Sequence, residues 1–208
     1  MRNIAIRFFP IFVFILRYGL VSQGQTPNYD STFQALFKTR DDSARAEKLF
    51  LLFDDMYLYE PEATAQKFLP MAQKMLEEAT RNKNAFGIAK ANQALAYLNK
   101  VMWKYDKAFQ FAALAEKEWV KTNYHLGLAE LKFLKANMMV GNKKQEEVFV
   151  LGEEALLICK KHKFNKLYMA VGGFLMANYG MKNNYNKTID LGLEILKIPE
   201  ISDRKSVV

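Results

Sequence analysis

The residues of this sequence that could do chemistry are few: two histidines (His125 and His162), one cysteine (Cys159), and adjacent glutamates at Glu77-Glu78, Glu146-Glu147 and Glu153-Glu154. A metal site needs ligands that converge, and neither histidine has a second ligand three or four residues away on a shared helical face. A cysteine nucleophile needs a histidine and an orienting group, whereas Cys159 follows the apolar run Leu156-Leu157-Ile158 and reads as a small buried hydrophobe. Neighbouring helical residues point about 100° apart, so the glutamate pairs do not set two carboxylates on one face and read as solvated surface. Asn186-Lys187-Thr188 fits a glycosylation acceptor but opens a helical segment, and is read as coincidental. No phosphate-cradling glycine loop or catalytic triad spacing occurs. The chain reads as a non-enzyme with no cofactor and no metal.

Composition places it among globular proteins. Half of the 208 residues are hydrophobic, and 16 phenylalanines against 5 prolines favour helices over turn-rich β-structure. The formal charge of +8 invites a nucleic-acid reading, but Arg2, Arg7 and Arg17 fall in the first 24 residues, which carry no acid. Without that segment 27 basic residues face 22 acidic ones, a formal +5. The remaining lysines (Lys104, Lys107, Lys117, Lys121, Lys132, Lys135) are spread along helical faces rather than gathered into a basic stripe, so no nucleic-acid partner is expected.

The N-terminus has the order of a secretory signal: a basic start at Met1–Arg7, an apolar stretch at Phe8–Leu16, then Ser22 and Gly24 before a cleavage point at Gln25. Arg17 interrupts the apolar stretch well short of the ~20 residues a spanning helix needs. The expected organisation is a signal peptide over 1–24, a linker over 25–42, helical repeats over 43–198 and a tail over 199–208. The mature protein is expected to be exported, in a periplasm. The alternative is a retained leader that anchors the chain in the inner membrane.

Self-comparison organises the rest. Phe133-Leu134-Lys135-Ala136-Asn137 returns 41 residues later as Phe174-Leu175-Met176-Ala177-Asn178. Leu151-Gly152-Glu153-Glu154-Ala155-Leu156 returns 40 residues later as Leu191-Gly192-Leu193-Glu194-Ile195-Leu196. The slack is placed in the polar stretch at Gly141–Gln145. Carried backwards, the frame yields four helical hairpins at 43–80, 84–121, 124–162 and 165–198, broken at Asn82-Lys83-Asn84, Gly141-Asn142 and Asn183-Asn184. Small residues at matched positions (Ala96, Ala136, Ala177; Ala112, Gly152, Gly192) are expected to let helix axes approach closely.

Those small residues, Tyr105 and Tyr185 opening second helices, and Pro199 after the last hairpin resemble tetratricopeptide repeats. The units are about 40 residues rather than the usual 34. This longer form resembles the sensor regions of exported Bacteroidetes signalling proteins, several of which continue into a histidine kinase. Asn99 and Met139 stand where that family carries a large aromatic late in the first helix. The resemblance implies an all-α fold, a right-handed superhelical solenoid of about four antiparallel hairpins, and binding of a protein or peptide.

In such a solenoid the first helix of each hairpin lines a concave face. The inward candidates are Lys90, Gln93 and Tyr97, then Glu130, Phe133 and Asn137, then Phe174 and Asn178. Amides and aromatics together could clamp an extended backbone and stack on its side chains. The expected partner is therefore a protein or peptide, recognised by the sensing part of a signalling system; a membrane is a partner only if the leader is retained. The alternative is a structural assembly protein of the cell envelope, in which the C-terminal hairpin, with no polar capping helix evident in the sequence, joins two copies.

Overall fold

The computed structural model describes residues 61–140 and 145–198. The expected leader, the linker, the first part of the first hairpin (43–60), positions 141–144 and the tail lie outside the described residues. Those residues form seven helices and no strand: α1 (Pro61–Arg81), α2 (Ala85–Val101), α3 (Tyr105–Lys121), α4 (His125–Met139), α5 (Gln145–His162), α6 (Asn165–Met181) and α7 (Tyr185–Ile195). The chain is all-helical there, and none of these helices is long and apolar enough to cross a membrane.

One turn is used over and over. Lys83, Trp103, Asn123, Lys163 and Asn183 all have φ between 49° and 59°, a left-handed conformation recurring on a 20-residue step with position 143 outside the described residues. At each, the next residue's N–H reaches back five positions: Asn84 to Ala79, Lys104 to Asn99, Tyr124 to Trp119, Phe164 to Cys159 and Asn184 to Tyr179, at 2.9–3.0 Å. The left-handed residue itself donates three positions back, as in Lys83 to Thr80 and Asn183 to Gly180, both at 3.0 Å. This double bond is the Schellman arrangement, which satisfies carbonyls that a helix end leaves without partners. The residue after the left-handed one (Asn84, Lys104, Tyr124, Phe164 or Asn184) then starts the next helix, its carbonyl accepting from Ile88, Ala108, Leu128, Tyr168 or Thr188 in turn. Asn84 and Asn184 add side-chain caps, accepting from the N–H of Gly87 and Lys187.

Each helix packs on its chain neighbours, and α2 also touches α4. The core forms two clusters. The first joins α1, α2 and α3 with Leu131, Leu134 and Met138 of α4. The second joins Leu126 and Ala129 of α4 with α5, α6 and the underside of α7. α4 therefore serves both, and Tyr124 packs against each. Within the first, Trp119 is fully buried, with Phe86 edge-on at 5.0 Å and Tyr124 at 4.7 Å. Burying side chains of this size stabilises by about 1.5–3 kcal/mol each.

The close approaches are specific. A Cβ on Gly127 would lie 2.5 Å from the Trp119 ring, and one on Gly152 would lie 2.6 Å from Leu175. Ala96, Ala112 and Ala136 are fully buried, as small contact residues should be. Ala177 departs from that expectation and is exposed. With Gly173 and Gly180, which meet nothing within 4 Å of a Cβ, it lines a side of α6 that no described element covers. The register explains part of this. Tyr124 and Phe164 cap their helices 40 residues apart, so the block matched at 41 sits one position further along α6 than along α4.

Candidate functional site

The inward candidates divide by depth. Lys90, Gln93 and Tyr97 of α2 and Glu130 of α4 are buried. Gln93 is engaged at both ends, its Oε1 accepting from Trp119 Nε1 at 2.7 Å and its Nε2 donating to Glu130 Oε2 at 2.5 Å. Lys90 Nζ stands 4.9 Å over the Phe86 ring, and Lys100 Nζ stands 5.7 Å over Tyr97. Burial holds the Lys100 ammonium below the usual lysine range.

Further along, Phe133 and Phe174 meet edge-to-face at 5.3 Å across α4 and α6, and both remain half-buried, as does Asn137. Asn178 is buried; its Nδ2 donates to the Phe174 carbonyl one turn back at 2.8 Å, and its Oδ1 has no hydrogen-bond donor among the described residues. Asn92 and Asn99 of α2 bond their own helix in the same way, to Ile88 and Leu95. Phe133, Asn137 and Phe174 are thus the members of the row that keep part of their surface in solvent, while both phenylalanines also pack against the second core cluster.

Two polar clusters tie α5, α6 and α7. Glu194 of α7 accepts from the Tyr168 hydroxyl at 2.6 Å and from Lys160 at 3.2 Å. Glu153 of α5 accepts from the Tyr179 hydroxyl and from Lys187 at 2.7 Å. These donors hold both carboxyls below the ordinary range, while burial and then the adjacent carboxylate push both phenols up. Paired tyrosine–glutamate–lysine clusters at two ends of one helix are ties between helices. Cys159 is buried, and its thiol is pushed up to about 12, chiefly by burial and then by Glu130, which leaves it unreactive at neutral pH.

Sequence reasoning missed three features. His125 is the first residue of α4 and His162 the last of α5, and their rings stack at 4.0 Å with Phe164 next in the stack at 5.6 Å. Long sequence separation hid that pairing. Trp103 holds φ 59° while 63% exposed, in a turn position occupied elsewhere by lysine or asparagine. Aligning the chain on 20 rather than 40 residues would have exposed it. The third is a row of exposed apolar side chains along α7 and its C-cap, Tyr185, Ile189, Leu193 and the capping Leu196, whose spacing of four, four and three marks one side of the helix. Among the described residues no group of three or more histidine, cysteine or acidic side chains could hold a metal ion. Comparison with protein-family models, with curated proteins and with solved structures returned no match.

Proposed function

We propose that this chain is a protein- or peptide-binding module, a right-handed TPR-like superhelix of antiparallel hairpins that works outside the cytoplasm as the sensing part of a signalling system. Support for the repeat architecture comes from the five Schellman turns on a 20-residue step and from helices that pack mainly on their chain neighbours. The observation that carries the binding reading is the half-buried group of Phe133, Asn137 and Phe174 on the first helices of consecutive hairpins. An aromatic edge beside a side-chain amide offers both stacking and backbone hydrogen bonding to an extended peptide.

Panning a displayed random-peptide library against the full chain, then repeating capture with the Asn137→Ala/Phe174→Ala pair, tests this. Loss of capture by about tenfold or more, with the helical circular dichroism retained, is the expected result. Undiminished capture by a folded double variant would retire the groove. A second reading, assembly of an envelope complex through the α7 face, is favoured by the exposed apolar row there.

A further inference from the structure

The basic residues look scattered along the chain, yet folding gathers a set of them on one edge. Three of the Schellman turns lie side by side there. Phe86, just after the turn at 82–84, meets Tyr124 of the second turn at 5.1 Å, and His125, just after that, stacks on His162 of the third at 4.0 Å. The exposed cations are Arg81 and Lys83 at the first turn, Lys121 at the second, and Lys160, Lys161 and Lys163 at the third. The helix ends there also hold Glu78, Glu118 and Glu194. Lys121 pairs with Glu118 and Lys160 with Glu194; the other four cations make no ion pair among the described residues.

Helix capping does not account for this set. Basic side chains in a last turn complement the dipole of any helix. The helices α1, α3 and α5, which end at this edge, carry them as Arg81, Lys121, and Lys160 with Lys161. The helices α2, α4 and α6 end at the opposite edge, where the same dipole holds, and their last turns carry Lys100 alone. Lys83 and Lys163 lie between helices, at the left-handed turn positions. The opposite edge is also balanced, its Lys104, Lys107 and Lys182 standing with Asp106, Glu146 and Glu147 at the starts of α3 and α5. Positive charge is therefore in excess on one edge of the described residues.

Apolar side chains share that edge. Val120, 62% exposed, directly precedes Lys121, and the rings of Tyr124 and Phe164 are half-buried in the turns themselves. At a bilayer surface, cations meet the headgroup phosphates while apolar and aromatic side chains at the same level enter the interface. The backbone of a nucleic-acid duplex offers the phosphates and no such layer for the apolar groups.

We propose that the edge formed by the turns at 82–84, 122–124 and 162–164 docks on an anionic phospholipid surface, its six cations towards the headgroup phosphates. The docking needs no retained leader. It uses none of Phe133, Asn137 and Phe174, so it stands or falls independently of the peptide-binding reading.

Co-sedimentation of the full chain with phosphatidylcholine vesicles, with and without phosphatidylglycerol, tests it at about 0.1 M salt. There the screening length is about 10 Å, and a 17-residue helix keeps the opposite edge about 25 Å away. The wild type is expected to prefer the phosphatidylglycerol vesicles. Each cation near such a surface raises affinity about fivefold, so Lys161→Glu/Lys163→Glu should weaken that binding by about twentyfold or more. Lys104→Glu/Lys182→Glu changes the net charge equally on the opposite edge and should weaken it by less than about threefold. The leader is common to both variants and cancels from their comparison. All four positions are exposed, so helical circular dichroism should be unchanged. If Lys161→Glu/Lys163→Glu loses its helical signal, Lys161→Gln/Lys163→Asn replaces it, asparagine being what the chain carries at turn positions 123 and 183. Equal losses in the two variants, or none in either, overturn the proposal. So does a wild type that ignores phosphatidylglycerol, or one that binds a mixed-sequence DNA duplex more tightly than the vesicles.

Discussion

The indole of Trp119 and the side-chain amide of Gln93 share a 2.7 Å hydrogen bond, Nε1 donating to Oε1, and through Gln93 the bond continues to Glu130. Three helices, α3, α2 and α4, are joined by one amide. Gln93→Ala removes both bonds while Trp119 and Glu130 stay buried, and each lost partner of a buried polar group costs about 1–3 kcal/mol. The expected loss is about 2–5 kcal/mol in urea unfolding. A loss under about 0.5 kcal/mol, the size of an ordinary surface substitution, would show that the amide does not join the helices.

Glycines separate into two kinds that a sequence cannot distinguish. Gly127→Ala drives a methyl into Trp119, whose ring is fully buried and hemmed in by Phe86 and Tyr124. Overpacking of this sort costs about 1–3 kcal/mol. Gly173→Ala meets open space and gains helix propensity, worth up to about 1 kcal/mol in the other direction. Thermal unfolding of the two variants should therefore move the midpoint in opposite directions, and a common direction would contradict the packing described.

Trp103 is a bulky residue in a left-handed backbone well, where an ordinary side chain costs about 1–2 kcal/mol relative to the right-handed region. Glycine has no such cost, though it gives up some of the gain through the freedom of the unfolded chain. Its ring makes an edge contact with Tyr105 at 6.1 Å, and most of its surface is in solvent. Trp103→Gly should raise stability by about 0.5–1 kcal/mol in urea unfolding. An unchanged or lowered stability would mean that the exposed ring contributes more to the fold than its contacts account for.

Much of the helical order could be read from residues alone, because the cues were local. Asn82–Asn84 and Asn183-Asn184 are turns, and Tyr105 and Tyr185 open helices as their patterns suggest. The Schellman turns at Trp103 and Lys163 were not legible as such, since neither residue advertises a left-handed conformation in the way glycine does. Depth was the larger difficulty. Gln93 and Asn137 look equally polar in a repeat frame, yet Gln93 lies beneath Trp119 while Asn137 stays half-exposed. Which side of a helix is covered depends on the neighbouring helix, and a difference of one residue between the 40- and 41-residue matches was enough to place Ala177 on the open side of α6. The tyrosine–glutamate–lysine ties and the His125–His162 stack depend on pairs remote in sequence, beyond the reach of any short-range pattern.

That stack makes an acid-sensitive joint between the start of α4 and the end of α5. His162 is held below the usual 6.5 by desolvation first, then by His125 and Lys161. A histidine whose folded value is depressed is more readily protonated in the unfolded chain, so stability rises with pH across the gap between the two values. Its contribution is complete above 6.5 and is lost as pH falls through the lower folded value. Glu153 and Glu194, held below the ordinary 4.5 by their tyrosine and lysine donors, add a second decline at more acidic pH, where protonation removes the charge that those donors stabilise. Urea unfolding at pH 7.5, 5.5 and 4 should therefore show stability dropping at each step. Ring-proton NMR titration of His125→Phe should find the His162 midpoint raised towards 6.5, since an aromatic neighbour remains but its positive charge does not. A midpoint that does not move would assign the depression to desolvation and Lys161 alone, and the histidine pair would then have no electrostatic coupling.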